Sequence, residues 1–411
     1  MPALMTTALR PERTKAAAPP SPERPLGFMR RYWLPILVAS LCNAVAVARV
    51  QYLAAFVAVA CAAYLLLQTV SVRQAFKMGF VYMCGMAMLL NYWMVPVLLD
   101  YTGGNWLLTI GCYCASWLLM APFIGAQFAL FAALRRRGNT LSDHWRNALL
   151  LGAVWVVFEW LRAWVFSAIP FMSYAWGSAS GQYSWMLQPA AFGGVFLLSF
   201  LLVVPAWFVA LAAYRRQWRA MLPAAAIVLV QIATGYVLYS AAEDDAEDRP
   251  AIAVALAQPA LNTDMTWDPQ NGNALVQRLL ALNRAANALR PQLIAWTETT
   301  VPWTYRADDD FLQVLAQSTK ASGAYTLLGM SSDGSADDSL RSNSLYLLDS
   351  AGGLKGRYDK QELLAGAERP FLGGMLIPFQ KGGNKGYRSG SGGPVPTPWG
   401  KAGLMLCNEA T

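Results

Sequence analysis

The chain has a single histidine, His144, in 411 residues. That scarcity sets aside histidine-based acid–base catalysis and histidine-rich metal sites, and no metal or organic cofactor is expected. Charge is scarce too: 14% of residues are charged, against about a quarter in ordinary soluble chains. Six cysteines are present, and five of them (Cys42, Cys61, Cys84, Cys112, Cys114) lie inside apolar runs. Thiols placed that way behave as small hydrophobes, so no disulfide framework is indicated. The formal net charge of +8 falls in short clusters. No basic stripe interleaved with aromatics occurs, so direct nucleic-acid binding is not expected. The glycine-rich stretch "FLGGMLIPFQKGGNKGYRSGSGGP" lacks the G-x-x-x-x-G-K-[ST] spacing of a phosphate cradle and reads as a mobile loop. The first 27 residues have no apolar core, which argues against a cleavable signal peptide.

Apolar residues are abundant, at 56% of the chain. They gather into seven segments, at 32–48, 51–71, 78–99, 105–134, 147–166, 190–213 and 220–240. A bilayer core takes about 20 apolar residues per helix, so about seven spans are expected. Arg30/Arg31, Arg73/Lys77, Arg135/Arg136/Arg137/Arg146 and Arg215/Arg216/Arg219 occupy every second connection. The positive-inside rule then puts the N-terminus in the cytoplasm and everything after the last span on the other side. Four regions result: a basic disordered tail (1–31), a helical membrane domain (32–240), an acidic linker (241–250) and a C-terminal domain (251–411).

The C-terminal region alternates short apolar runs with helical periodicity. "AIAVALAQ", "QLIAWTE", "AYTLLGM", "NSLYLLDS" and "KAGLMLCNE" read as strands. "NALVQRLLALNRAANALR" reads as an amphipathic helix with a stripe through Leu275, Leu279, Leu282 and Leu289. This alternation indicates an α/β layer domain.

Three strand ends carry chemistry: Glu298 after "LIAW", Lys360 in "GRYDK" and Cys407 after "LML". Cys407 is the one cysteine of the polar half. A thiol must lose its proton to attack, and without histidine a carboxylate has to take it. A nearby lysine can stabilise an oxyanion in acyl transfer. It is also expected to hold the Cys407 thiol below the free value of about 8.5.

In that order and with those flanks, the residues resemble the nitrilase (carbon–nitrogen hydrolase) superfamily, specifically the apolipoprotein N-acyltransferase family. The matching stretches are "AWTETTVP" around Glu298, "YDKQELLAGAE" around Lys360 and "CNE" at Cys407. Glu368, eight residues past the lysine, and Glu409, two past the cysteine, match supporting glutamates of that family. "ALAQPALNTDMTWDP" resembles its opening segment through Gln258 and Trp267. In the membrane half, "FEWLRAWVFSAIPFMSYAWGSASGQ" and "FGGVFLLSF" match the same family. There Glu159 and Arg162 stand three apart on one helix face, as a structural ion pair or a substrate-side feature.

The resemblance implies a nitrilase-like αββα sandwich, with Glu298 as base, Cys407 as nucleophile, Lys360 as oxyanion stabiliser, and Glu368 and Glu409 in support. It implies a bacterial inner-membrane acyltransferase with a periplasmic catalytic domain. The acyl donor would be a phospholipid and the acceptor a lipoprotein or other amine. Departures from the family pattern ("LLAGAE", Thr297 before the glutamate, Asn408 after the cysteine) bear on substrate more than on reaction type. They also resemble the TraB-type conjugal-transfer proteins of plasmids. Two alternatives therefore stay open: an envelope component working with conjugation-apparatus proteins, and a membrane-tethered amidase. In nitrilase-type domains much of the sandwich follows the cysteine, so the ending at Thr411 is read as truncation of a longer product.

Overall fold

The computed structural model describes residues 25–167, 169, 172–247, 251–260, 272–332, 340–365, 368–369 and 386–410. Residues 1–24, Trp267 and 370–385 of the glycine-rich stretch lie outside that set.

Helices dominate the first part. They are α1 (Pro25–Arg49), α2 (Tyr52–Gln68), α3 (Val72–Leu90), α4 (Met94–Tyr101), α5 (Trp106–Leu134), α6 (Leu141–Val165), α7 (Ser184–Leu187), α8 (Ala190–Arg215) and α9 (Leu222–Glu247). Each of the seven apolar segments falls on a helix or on a bent pair. Among the described residues, five helices are long and apolar enough to cross a membrane. The segment expected at 78–99 breaks between α3 and α4 with a bend of 69°. α2 has 17 residues, roughly 25 Å at about 1.5 Å per residue, short of a hydrocarbon core of about 30 Å. The acidic stretch expected as a linker continues α9 as far as Glu247.

Start signals explain several of these boundaries. Ser71, Asn105 and Thr140 each accept a backbone N–H of the first turn that follows, and Thr140 completes a capping box with Asp143. Outward residues such as Leu53, Leu107 and Leu229 are exposed, as helix faces turned toward lipid should be.

The buried side of the bundle carries a polar network. Glu159 and Arg162 on α6 are both buried, yet no direct ion pair joins them among the described residues. Each instead holds the 174–177 segment. Glu159 Oε1 accepts from Trp176 N at 2.9 Å. Arg162 Nη2 donates to the Tyr174 carbonyl, and its guanidinium lies 4.9 Å from the Tyr174 ring centroid. Trp176 Nε1 donates to Asn43 Oδ1 at 2.6 Å, which ties this segment to α1. The expected pair is thus a pair of clamps, because the nearest unsatisfied backbone groups compete for both charges.

The C-terminal part is an α/β layer. Its strands are β1 (Val254–Ala257), β2 (Leu293–Trp296), β3 (Val301–Thr304), β4 (Tyr325–Ser332), β5 (Ser342–Leu348) and β6 (Leu354–Asp359), in the order β1-β2-β4-β5-β6 with β3 also on β4. β1, β2 and β4 run parallel, while β5 and β6 pair antiparallel. α10 (Gly272–Ala288) and α11 (Asp310–Lys320) cover one face through Leu275, Leu279, Leu312 and Leu315, packed on Ile294, Trp296 and Leu328. Leu289 of the expected stripe lies past the end of α10 and is 76% exposed. The other face carries Leu345, Leu347 and Tyr358 beneath Val395 and Leu406. Val395 belongs to β7 (Val395–Thr397), which pairs with β8 (Gly400–Ala402). "KAGLMLCNE" is strand only at its start: β8 ends at Ala402, and a short 3-10 turn begins at Cys407.

Candidate active site

β2 stops at Trp296, and the next turn presents Glu298. That turn is tight: Thr299 has φ of +47°, a costly conformation for a β-branched residue. Two things hold it. Thr300 Oγ1 donates to the Thr297 carbonyl at 2.6 Å. On the neighbouring strand, Gly329 lets the turn lie against β4; a Cβ there would sit 2.7 Å from both Thr297 O and Thr299 N. A methyl at that distance must displace backbone. Gly329→Ala should therefore move Glu298 and lower kcat/KM for any reaction at this site by about 100-fold, the usual cost of misplacing a reacting group by about 1 Å. Circular dichroism of the purified variant should still show a folded protein.

β6 delivers Lys360. Its backbone N–H donates to Asn343 O at 2.8 Å, continuing the β5–β6 ladder by one step. The side chain is only 1% exposed, and its ammonium lies between two carboxylates. Nζ is 3.3 Å from Glu298 Oε1, and 3.0 Å and 2.9 Å from the two Glu368 oxygens. Burial pulls the ammonium's pKa down, but the Glu368 hydrogen bond and the charges of Glu298 and Glu368 outweigh it, so the lysine is held above its ordinary range. Glu368 is fixed in turn by Leu364 N at 2.8 Å.

Asn343 on β5 was not among the residues singled out from sequence. Its Nδ2 donates to Glu298 Oε1 at 2.6 Å and to Glu368 Oε1 at 3.0 Å, bridging the two carboxylates that flank the lysine. The one signal available was an asparagine in the apolar strand "SNSLYLL", where an amide needs partners.

Cys407 sits where the coil after β8 turns, with φ of +53°. The residue is exposed. Its thiol is near enough to Glu298 and to Lys360 to sense both charges. Contrary to the sequence expectation, the thiol is pushed above the ordinary range. Although the residue is exposed at the surface, partial desolvation of the sulfur by its surroundings is the main cause and the Glu298 charge adds to it, together exceeding the opposing pull of Lys360. The resting group is thus a neutral thiol close to a carboxylate.

Glu409 anchors the turn. Oε1 accepts from Gln361 N (2.6 Å), Glu362 N (3.2 Å) and Tyr358 Oη (2.9 Å), and Oε2 accepts from Leu406 N (2.6 Å). Burial raises its pKa, but those donors outweigh burial and bring it below the usual carboxylate range. Asn408 joins the same connection through Nδ2 to Glu362 O at 3.1 Å. Glu298, Lys360, Cys407, Glu368 and Glu409 therefore converge in one place. Gln258 is exposed and no hydrogen bond joins it to this group among the described residues. Glu159 and Arg162 belong to the helical part.

The arrangement can take a proton from sulfur onto Glu298 while a fixed cation waits beside it. A carbonyl carbon reaching Sγ would meet all three groups.

As a family, the apolipoprotein N-acyltransferase N-terminal domain matches residues 39–208. An apolipoprotein N-acyltransferase of Methylococcus capsulatus is 31% identical over 272 residues, covering 63% of this chain and 51% of that protein. One of Geobacter metallireducens is 26% identical over 356 residues, covering 82% and 65%. The chain spans about half to two thirds of the length of these curated relatives. A solved carbon-nitrogen hydrolase from Helicobacter pylori G27 overlaps 38% of this chain and 52% of its own, at 16% identity and a TM-score of 0.26.

Proposed function

We propose that this chain, a relative of the apolipoprotein N-acyltransferases, moves an acyl group from a phospholipid to an amine acceptor, such as a lipoprotein N-terminus, through a thioester on Cys407. The observation that carries the reading is a buried ammonium held between two carboxylates, one of which lies within reach of an exposed thiol.

The steps balance with these groups alone. Glu298 takes the Cys407 proton as Sγ attacks the ester carbonyl, and Lys360 stabilises the oxyanion. The tetrahedral adduct collapses, the alcohol of the lysophospholipid leaves with the proton from Glu298, and a thioester remains. The acceptor amine then attacks the thioester carbon. Glu298 removes a proton from the nitrogen and returns it to the departing sulfur. Glu368 orients Lys360, and Glu409 supports the cysteine turn. The proposed frame is the family's αββα sandwich.

The proposed setting is a bacterial inner membrane with seven crossings, the α3–α4 pair counting as one and α2 as a short one. The N-terminus would be cytoplasmic and residues from about 250 onward periplasmic, as the arginine-rich alternate loops require. Alkaline phosphatase, which needs an oxidising compartment, should be active when fused after residue 250. An inactive phosphatase there, beside an active cytoplasmic reporter at the same point, sinks this topology.

For the chemistry, protein incubated with phospholipid should gain an acyl-sized mass on the peptide holding Cys407, and Cys407→Ser should not, since a hydroxyl is far less readily deprotonated than a thiol. Addition of an amine acceptor should discharge the adduct into an amide. Discharge to free fatty acid alone would make the chain an amidase. No adduct from a folded protein, with the cellular phenotype of Cys407→Ser unchanged, would leave an envelope component without chemistry, as in the conjugation-associated reading.

A further inference from the structure

A second cavity, far from the thiol in sequence, is formed where α2, α5, α6 and α8 end on the arginine-rich side of the bundle. It measures about 180 Å³ and is lined by Arg135, Arg136, Arg137, Arg215 and the chain's one histidine, with Trp207 and Tyr214 on its apolar wall. A water needs only about 10–15 Å³ by that kind of measure, so the space admits a polyatomic group.

Its charge is one-sided. Among the described residues, none of these four arginines makes an ion pair. The carboxylate close by, Asp143, is committed to the capping box through Thr140 N and Oγ1. Arg135 donates to the Leu66 and Thr69 carbonyls, Arg137 to Val70 O and Arg215 to Asn139 O, so these guanidinium groups meet carbonyl oxygens but no carboxylate, and an added anion would offset their mutual repulsion.

His144 gives the second, independent sign. Arg215 Nη2 lies 2.6 Å from His144 Nε2. A guanidinium keeps its protons and can only donate, so Nε2 must be the acceptor and the ring proton must sit on Nδ1. The His144 residue is 6% exposed, and its Nδ1 has no partner. A buried N–H left without an acceptor is costly, and this one belongs to a residue lining a cation-walled cavity.

We propose that this cavity binds a phosphate-bearing anion, either the headgroup phosphate of an anionic lipid or free inorganic phosphate, with Arg136, Arg137 and Arg215 holding the charge and His144 Nδ1–H donating to an oxygen. The apolar wall of Trp207, Leu211 and Tyr214 favours the lipid source, whose glycerol and first methylenes need such a surface. Basic pockets between membrane helices suit anionic headgroups on physical grounds. The site stands apart from the acyl-transfer reading, and its test does not use that activity.

The full chain in detergent would be offered phosphatidylglycerol, phosphatidylcholine or inorganic phosphate, with retained lipid counted by native mass spectrometry and phosphate followed by thermal shift. Phosphatidylglycerol should be retained over phosphatidylcholine. Retention should fall about fivefold for Arg136→Gln and again for Arg215→Gln, since each nearby arginine is worth about that factor. Arg136 is exposed and makes no side-chain hydrogen bond among the described residues, so its variant should stay folded. Arg73→Gln removes a basic-loop charge outside the cavity and should leave retention unchanged. Stabilisation of wild type by phosphate, lost in Arg136→Gln and matched by no lipid preference, would assign the site to free phosphate. The proposal fails if neither anion is preferred, or if Arg73→Gln costs as much as Arg136→Gln, since the effect would then be general surface charge.

Discussion

Lys360→Met should abolish the proposed acyl transfer and destabilise the C-terminal α/β region by about 3 kcal/mol. Removing one partner of a buried ion pair costs about 3–5 kcal/mol because the remaining charge stays buried and uncompensated. Here Glu298 and Glu368, whose side chains are 29% and 11% exposed, would face each other across the site with Asn343 alone between them. The partial exposure of Glu298 puts the cost at the lower end. If Lys360 stabilises the oxyanion as proposed, its loss should by itself lower kcat by about 100- to 1,000-fold. Urea unfolding of the purified protein separates the two effects. Lys360→Met with Glu368→Gln removes a facing charge and should recover much of the stability while leaving activity absent. Recovery of both would demote Lys360 to a structural cation. The pH dependence has a definite sign. Lys360 has its folded pKa raised, so its contribution is fully present below the unfolded lysine value, about 10.4. It is lost only as pH rises through the folded value. Neutral and mildly acidic conditions leave it intact.

The sequence carried the architecture where its periodicity was strong. Long apolar runs can only be helices in lipid, and short apolar runs alternating with an amphipathic helix indicated the α/β layer, whose parallel pairing of β1, β2 and β4 the structure adds. What it could not carry were features decided by contact across distance. The break between α3 and α4 lies inside an apolar run, "MLLNYWMVPV", whose composition hides the turn. The sequence marks β6 only by its end, "GRYDK", because "LKGRYD" is mostly polar. Its place is settled by the ladder to β5.

The site divides the same way. Glu298, Lys360 and Cys407 stand out because charge and thiol at strand ends need a reason, and Glu368 and Glu409 enter through the family resemblance alone. Asn343 does not stand out, since an amide in a strand becomes informative only when its neighbours are known. Glu159 and Arg162 were correctly placed on one face, but whether they meet depends on the 174–177 backbone, which outcompetes each for the other. The direction of the Cys407 shift was misjudged for a related reason. Sequence names the cation and the carboxylate but cannot weigh burial of the sulfur against them.

That direction leads to the most discriminating result expected of this protein. Glu298→Gln should make Cys407 alkylate faster at neutral pH while acyl transfer falls by about 100- to 10,000-fold, the usual contribution of a positioned general base. Partial desolvation is the largest cause holding the thiol protonated, and the Glu298 charge adds to it, against Lys360. Glutamine keeps the shape and removes the charge. The thiol pKa should fall, because the pull of Lys360 then meets less opposition. For each tenfold gain in thiolate, intrinsic nucleophilicity drops about threefold, so alkylation should rise by about threefold for each unit the pKa falls. Acyl transfer cannot share that gain: without the carboxylate, nothing accepts the thiol proton and returns it to the leaving alcohol. Iodoacetamide labelling read by mass spectrometry on the Cys407 peptide isolates the signal from the five cysteines of the helical part. In wild type the labelling rate should keep climbing past the ordinary thiol range as pH rises, and in Glu298→Gln the climb should come earlier. A variant that labels more slowly than wild type yet still transfers acyl groups would remove Glu298 from the role of base. The thiol would then have to be activated by Lys360 alone.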